Sequence, residues 1–242
     1  MIAKHLDNYG KLFLALSVNC GMQPAESGRV EVIDFFERHP DTDFVGDWII
    51  FDRPKTGEYG EWILWPEVSQ LVRWGVERSR LLGVERLLVS DKLVPWYKDG
   101  TRNPTSQIGK WWQAKPSKSD PHEGIVTRLS REVDGFQRKT LRYLRKILPT
   151  HVRPRYGKEL ADLANARSIG EGGAIRGAIT DSYADRRYDQ LADAIRDLEE
   201  DFRPFLDALK IDLEPQANGP NQTTELNHIQ AQQQRNTVKR WS

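Results

Sequence analysis

Between residues 187 and 209, Tyr188, Leu191, Ile195, Leu198, Phe202, Phe205 and Leu209 recur at helical spacing. Such a stripe runs along one face of a long helix and has to be covered by other elements. Pro204 bends or restarts that helix, because proline lacks the amide that would close the preceding turn. From about residue 211 the composition changes to Asn, Gln, Thr, Pro and Gly, with the run Gln232-Gln233-Gln234. Segment 211–242 cannot bury a core and reads as a disordered tail. The fold is therefore expected within residues 1–210.

The rest of that stretch reads as more helices and a little sheet. Leu6, Tyr9, Leu12, Phe13 and Leu16 place one apolar face on a helix over 5–19. Gly21 and Pro24 break it, and a short second helix follows Pro24. Asp47–Arg53 and Glu61–Trp65, with Thr56-Gly57-Glu58-Tyr59-Gly60 between them, predict a β-hairpin. Pro66 opens a helix with the stripe Val68, Leu71, Val72 and Val76, ending near Gly83. Arg86–Ser90 reads as a third strand. A short helix around Pro104–Gln113 carries Trp111 and Trp112, and further helices are expected at 138–148, 157–167 and 173–183. The sum is a mainly α domain with a small antiparallel β-sheet.

Composition narrows the function classes. No apolar run approaches the roughly 18 residues a membrane span needs. No basic-then-apolar leader opens the chain, which points to the cytoplasm. The single Cys20 allows no intrachain disulfide and no CxxC knuckle. The histidines His5, His39, His122, His151 and His228 are too scattered for a local zinc motif. The formal charge is +1, from 36 Lys+Arg against 35 Asp+Glu, so only the distribution of charge is informative.

That distribution is uneven. From Gln137 to Lys158 there are eight basic residues and no acidic one: Arg138, Lys139, Arg142, Arg145, Lys146, Arg153, Arg155 and Lys158. A cluster of this kind suits a phosphate backbone. It equally suits a solvated face whose charges pair with acids from other segments. Gly170–Gly177 is glycine-rich but lacks the GxGxxG spacing and has no preceding strand, so it reads as a connector rather than a phosphate cradle. Trp111-Trp112 either stacks on bases or straddles the edge of the core.

Four segments, in order, resemble the catalytic domain of tyrosine recombinases of the phage-integrase family. Leu16–Glu26 resembles the helix end that carries the first catalytic arginine: Gly21 and Glu26 fit, while Gln23 stands at the arginine position. Arg53-Pro54-Lys55-Thr56-Gly57 resembles the hairpin motif with its lysine, Lys55, and Leu64-Trp65-Pro66-Glu67 the strand end and helix start that follow. Thr140-Leu141-Arg142-Tyr143-Leu144-Arg145-Lys146 resembles the segment of the second arginine, which falls on Arg145 or, in a rival register, on Arg142. Ile179-Thr180-Asp181-Ser182-Tyr183-Ala184-Asp185 resembles the nucleophile segment. Ala174 stands where the family has His or Trp. The Asn19-Cys20-Gly21 and Leu144-Arg145-Lys146 wording is most similar to divergent, planctomycete-type members, and the chain begins just before the first motif, which implies that the N-terminal core-binding domain is missing.

The resemblance implies a DNA strand transferase that needs no metal and no cofactor. Tyr183 would be the nucleophile, Lys55 the acid at the leaving oxygen, Arg145 the phosphate clamp, Arg142 a second basic contact, and Gln23 a neutral replacement. Arg138, Lys139, Lys146, Arg153, Arg155 and Lys158 would contact the backbone of double-stranded DNA. Family members exchange a C-terminal segment between protomers, so a homo-oligomer on DNA is implied as well. Tyr188 is a rival tyrosine, but its spacing with Leu191 and Ile195 assigns it to the core. The departures at Gln23 and Ala174 leave a second expectation open, a catalytically inactive DNA-binding remnant or regulator of the same fold.

Overall fold

The computed structural model describes residues 2–52, 59–90, 94–118, 121–166 and 178–211, without the side chains of 178–187. Helix α1 (Asn8–Asn19) begins at Asp7, whose carboxylate accepts the Gly10 amide at 2.8 Å and so satisfies one of the orphan donors of the first turn. Sequence periodicity assigns α1 one apolar face, yet every residue from Gly10 to Asn19 is buried. The reason is that its polar residues find partners inside. Lys11 Nζ donates to the Lys210 carbonyl at 2.8 Å. The Asn19 amide donates to the Ile63 carbonyl at 2.8 Å, and its oxygen accepts the Trp65 amide at 2.9 Å. A buried polar group is tolerated when it is bonded in this way. Burial also pushes the Cys20 thiol, just beyond α1, well above its ordinary pKa.

A short helix α2 (Pro24–Ser27) follows. The sheet has three antiparallel strands in the order β1 (Phe35–Phe36), β2 (Trp48–Asp52), β3 (Tyr59–Ile63). The hairpin pairs Trp48 with Ile63 and Asp52 with Tyr59. Its third strand is not Arg86–Ser90 as the sequence suggests. Around that run the described residues form two isolated bridges, Glu31 with Arg86 and Val89 with Pro95. Leu87, Leu88 and Val89 are buried all the same, so the apolar run reports burial of a loop rather than a ladder.

Helix α3 (Pro66–Leu82) starts on Pro66 and stops at Gly83, which takes the left-handed conformation (φ +64°). It crosses α1 closely: a Cβ on Gly75 would lie 2.9 Å from Leu12 Cδ2. At its start Asp47 accepts two bonds from the Arg73 guanidinium at 2.6 Å and one from the Ser69 hydroxyl.

Helix α4 (Ser106–Gln113) buries Trp112, with half-buried Trp111 at the core edge. Helix α5 (Ile125–Glu132), which the sequence reading did not separate, shows only Val126 and Leu129 to the core. The expected helices at 138–148 and 157–167 become α6 (Leu141–Leu144) and α7 (Ile147–Ala164). Helix α7 breaks at Gly157 (φ +88°), where the second of them was expected to begin. Helix α8 (Ala178–Asp197) runs without a break through the two helices expected at 173–183 and from 187; residues 173–177 lie outside the described residues. A 3₁₀ turn (Glu200–Phe202) and α9 (Arg203–Leu209) follow, with Pro204 in the first turn of α9. The restart shifts the phase of the stripe, so that Leu206 rather than Phe205 is buried with Leu209.

The protein is thus mainly helical with a small antiparallel sheet. Residues Met1–Lys210 form one compact unit; residues 212–242, expected from the sequence to be a tail, lie outside the described residues. Among the described residues no helix is long and apolar enough to cross a membrane.

Candidate nucleic-acid interface

The C-terminal end of α7 gathers three segments that are distant in sequence. The last carbonyl of the helix, on Ala164, accepts the Trp62 indole N–H of β3 at 2.9 Å. The next carbonyl, on Asn165, accepts from an Arg145 Nη at 3.3 Å. Gly21 faces the same two residues: a Cβ there would lie 2.7 Å from the Ala164 oxygen and 3.1 Å from Asn165 Oδ1, and its φ of +57° is in the left-handed region. Glycine is the residue that fits both demands. Ala164-Asn165 therefore joins the Gly21 loop, the hairpin strand and the Arg145 helix.

The hairpin also meets α8. Tyr188 is buried, and its hydroxyl donates to the Tyr59 carbonyl at 2.8 Å, with the two rings edge to face at 5.8 Å. This bond assigns Tyr188 a structural place at the turn end of the hairpin. Tyr183 lies on the same helix, about 7.5 Å back along its axis at the usual rise per residue; its side chain lies outside the described residues. So do Lys55 and the glycine-rich stretch 170–177.

Gln23 is the N-cap residue of α2, and its backbone amide donates to the Glu26 carboxylate at 2.7 Å. It brings no charge. Arg145 closes α6 and is half-buried, whereas Arg142 is exposed.

The basic stretch divides into two sets. Arg155 pairs with Asp201 at 2.7 Å and Lys158 with Asp162 at 2.9 Å, so part of the charge is paired with acids. Arg138, Lys139, Arg142, Lys146 and Arg153 are exposed and make no ion pair with any described carboxylate. Arg138 instead donates to the Thr127 hydroxyl at 2.9 Å, and the Lys139 ammonium lies 5.1 Å from the centre of the Tyr143 ring. Lys146 precedes α7 and Arg153 lies seven residues further on, a spacing that brings both to one side of the helix.

Two residues of this region escaped sequence reading. Asn165 sits in no motif, and only its contacts mark it. Tyr143 is an exposed aromatic set among the cations; its position between Arg142 and Leu144 was its only signal.

A charged cleft of about 480 Å³ lies at the turn end of the hairpin, lined among others by Arg29, Asp34, Asp52, Tyr59 and Arg86. Its cations are already engaged, Arg86 with Asp99 at 2.7 Å and Arg29 with Asp99 at 3.6 Å. Burial, and then the nearby Glu31 and Asp52 charges, push the Asp34 carboxyl up to about 6, against the Glu31 amide that bonds its charged form. Among the described residues no group of His, Cys, Asp and Glu is placed to hold a metal ion. Compared with protein families, with curated proteins and with solved structures, the chain shows no match.

Proposed function

We propose that this chain binds double-stranded DNA through the 138–153 cations and is a strand transferase of tyrosine-recombinase type, attenuated at Gln23. What supports the reading is the convergence of ordered segments: Gly21, Trp62 and Arg145 meet at Ala164-Asn165, and the helix of Tyr183 is bonded to the turn end of the hairpin, at Tyr59. The Tyr183 hydroxyl gives its proton to water, and its oxygen attacks the scissile phosphorus and forms a 3′-phosphotyrosyl bond. The 5′-oxygen leaves with a proton from Lys55, and return of a 5′-hydroxyl reverses the step. Arginine stabilises the charge that builds on the non-bridging oxygens. A tyrosine hydroxyl ionises near pH ~10, so it depends on these neighbours for its reactivity.

A second reading is a DNA-binding protein that does not cut. It is favoured by the neutral Gln23 at the start of α2 and by the Arg145 guanidinium being engaged by the Asn165 carbonyl. Both readings share the DNA interface, and its test is the salt dependence of duplex affinity. Five exposed cations without a described carboxylate partner predict a slope of log K against log salt of about −4.5. Arg153→Ala should reduce that slope by about 1, and Arg155→Ala, which removes a cation already paired with Asp201, by less. Binding that is indifferent to salt would remove the interface from the account.

A further inference from the structure

Duplex binding uses the cations of 138–153 and leaves one exposed side chain among them without a task. Tyr143 is 47% exposed, although it is a large aromatic residue. Its neighbour Leu144 is buried and takes the core side of α6. The chain before Tyr143 is pinned. The Lys139 carbonyl accepts the Trp112 indole N–H at 2.9 Å, and the Thr140 carbonyl accepts the Tyr143 amide at 2.9 Å. The chain after it is anchored by Leu148 and Val152, both fully buried on α7. Tyr143 is thus presented to solvent by a fixed backbone, as a binding residue has to be.

Other tyrosines are engaged in the fold. Tyr156 donates its hydroxyl to Asp197 at 2.8 Å and Tyr188 to the Tyr59 carbonyl at 2.8 Å. Tyr9 meets the Trp74 ring edge to face at 5.0 Å. The Tyr143 hydroxyl makes no hydrogen bond with a described residue. Its ring meets the Lys139 ammonium, 5.1 Å from the centroid. A cation over an exposed ring is held weakly, and nearly half of Tyr143 is exposed with that contact in place. Cations flank it on both sides. Arg142 precedes it, and Lys146 follows, its amide donating to the Tyr143 carbonyl at 3.0 Å. Both are exposed, and neither side chain has a partner among the described residues.

Phosphates engage the cations of such a face, but an intact duplex offers the tyrosine nothing to stack on. Each paired base is covered on both faces by its neighbours. A base outside the stack has a free face, and aromatic side chains stack on it whatever its identity. We infer that this interface takes DNA carrying an unpaired base in preference to continuous duplex, the base stacking on Tyr143 and its flanking phosphates meeting Arg142 and Lys146. The inference rests on the duplex-binding reading, but not on strand transfer by Tyr183.

The test is fluorescence anisotropy of the full chain with three end-labelled DNAs of one sequence. These are a continuous duplex, the duplex with one extra unpaired thymidine, and the duplex with an abasic residue in place of that thymidine. The abasic bulge keeps the added phosphate and the interruption of the duplex and removes only the base. The thymidine bulge should bind about tenfold more tightly than the abasic bulge, the usual worth of one base stacked on an aromatic side chain. Tyr143→Phe should keep that preference, since stacking needs the ring and not the hydroxyl. Tyr143→Ala should abolish it while leaving the continuous-duplex affinity within about twofold and its salt slope unchanged, a combination that loss of fold would not give. Equal affinity for the two bulges in wild type, or a preference that survives Tyr143→Ala, would overturn the inference and leave the duplex interface standing. Continuous-duplex binding that is absent or indifferent to salt would remove the interface and the inference together.

Discussion

Gly21→Ala tests the junction at its tightest point. Two separate costs are expected. The backbone at Gly21 has φ +57°, where an L side chain costs about 1–2 kcal/mol. The new methyl would also meet the Ala164 carbonyl oxygen at 2.7 Å. That neighbour is backbone at the end of a helix and cannot rotate away, so relief requires displacement of the chain, typically about 1–3 kcal/mol. The total is about 2–5 kcal/mol. Gly83→Ala isolates the first cost: its φ is +64°, and nothing lies within 4 Å of the added carbon. It should lose only about 1–2 kcal/mol. Urea denaturation followed by far-ultraviolet circular dichroism measures both variants against wild type. If Gly21→Ala is no more destabilised than Gly83→Ala, the close packing of Gly21 on Ala164-Asn165 is refuted, and with it the physical link between the Gly21 loop and Arg145.

Asn19→Ala should cost about 2–4 kcal/mol by thermal denaturation, since it orphans the buried Ile63 carbonyl and Trp65 amide together; a loss under about 1 kcal/mol would contradict their dependence on this one side chain. The raised Asp34 carboxyl predicts a pH effect of definite sign. Its folded pKa of about 6 lies above the ordinary 3.8, so the folded state holds the proton more tightly. The associated stability is complete below the ordinary value and is lost as pH rises through about 6. Wild type should therefore lose stability relative to Asp34→Asn between about pH 4 and pH 6, read from urea midpoints; a difference that is constant with pH would exclude the shift.

The hairpin and α3 were legible because local chemistry decides them. Short runs rich in Trp, Ile and Phe flank a glycine-containing connection, Pro66 fits a first helical turn, and Gly83 takes the left-handed stop. The surroundings of α1 were not, because nothing in the residue types of Lys11, Ser17 and Asn19 shows the distant carbonyls and the Ser27 hydroxyl that they meet. Arg86–Ser90 misled for the opposite reason: burial of Leu87–Val89 produces the same apolar run whether the backbone pairs in a ladder or in single bridges. The real third strand, Phe35–Phe36, is too short to leave a period. In the candidate site the basic stretch was visible as a charge run. Which of its members face carboxylates was not, since Arg155 finds Asp201 in the 3₁₀ turn after α8. Asn165 was invisible, because a carbonyl acceptor leaves no trace in residue type.

The central claim is strand transfer through Tyr183, and a nicked, end-labelled duplex that traps the covalent intermediate tests it most directly. The account predicts a slow protein–DNA adduct with wild type. Tyr183→Phe should form none while its duplex affinity stays within a few-fold, because one hydroxyl is deleted and the cations remain. Tyr188→Phe should still form the adduct, its hydroxyl being engaged by the Tyr59 carbonyl. Gln23→Arg should speed adduct formation by about 10²–10³, the usual worth of a donor to transition-state charge. An adduct that persists in Tyr183→Phe, or none in wild type and Gln23→Arg alike, would contradict strand transfer by this tyrosine.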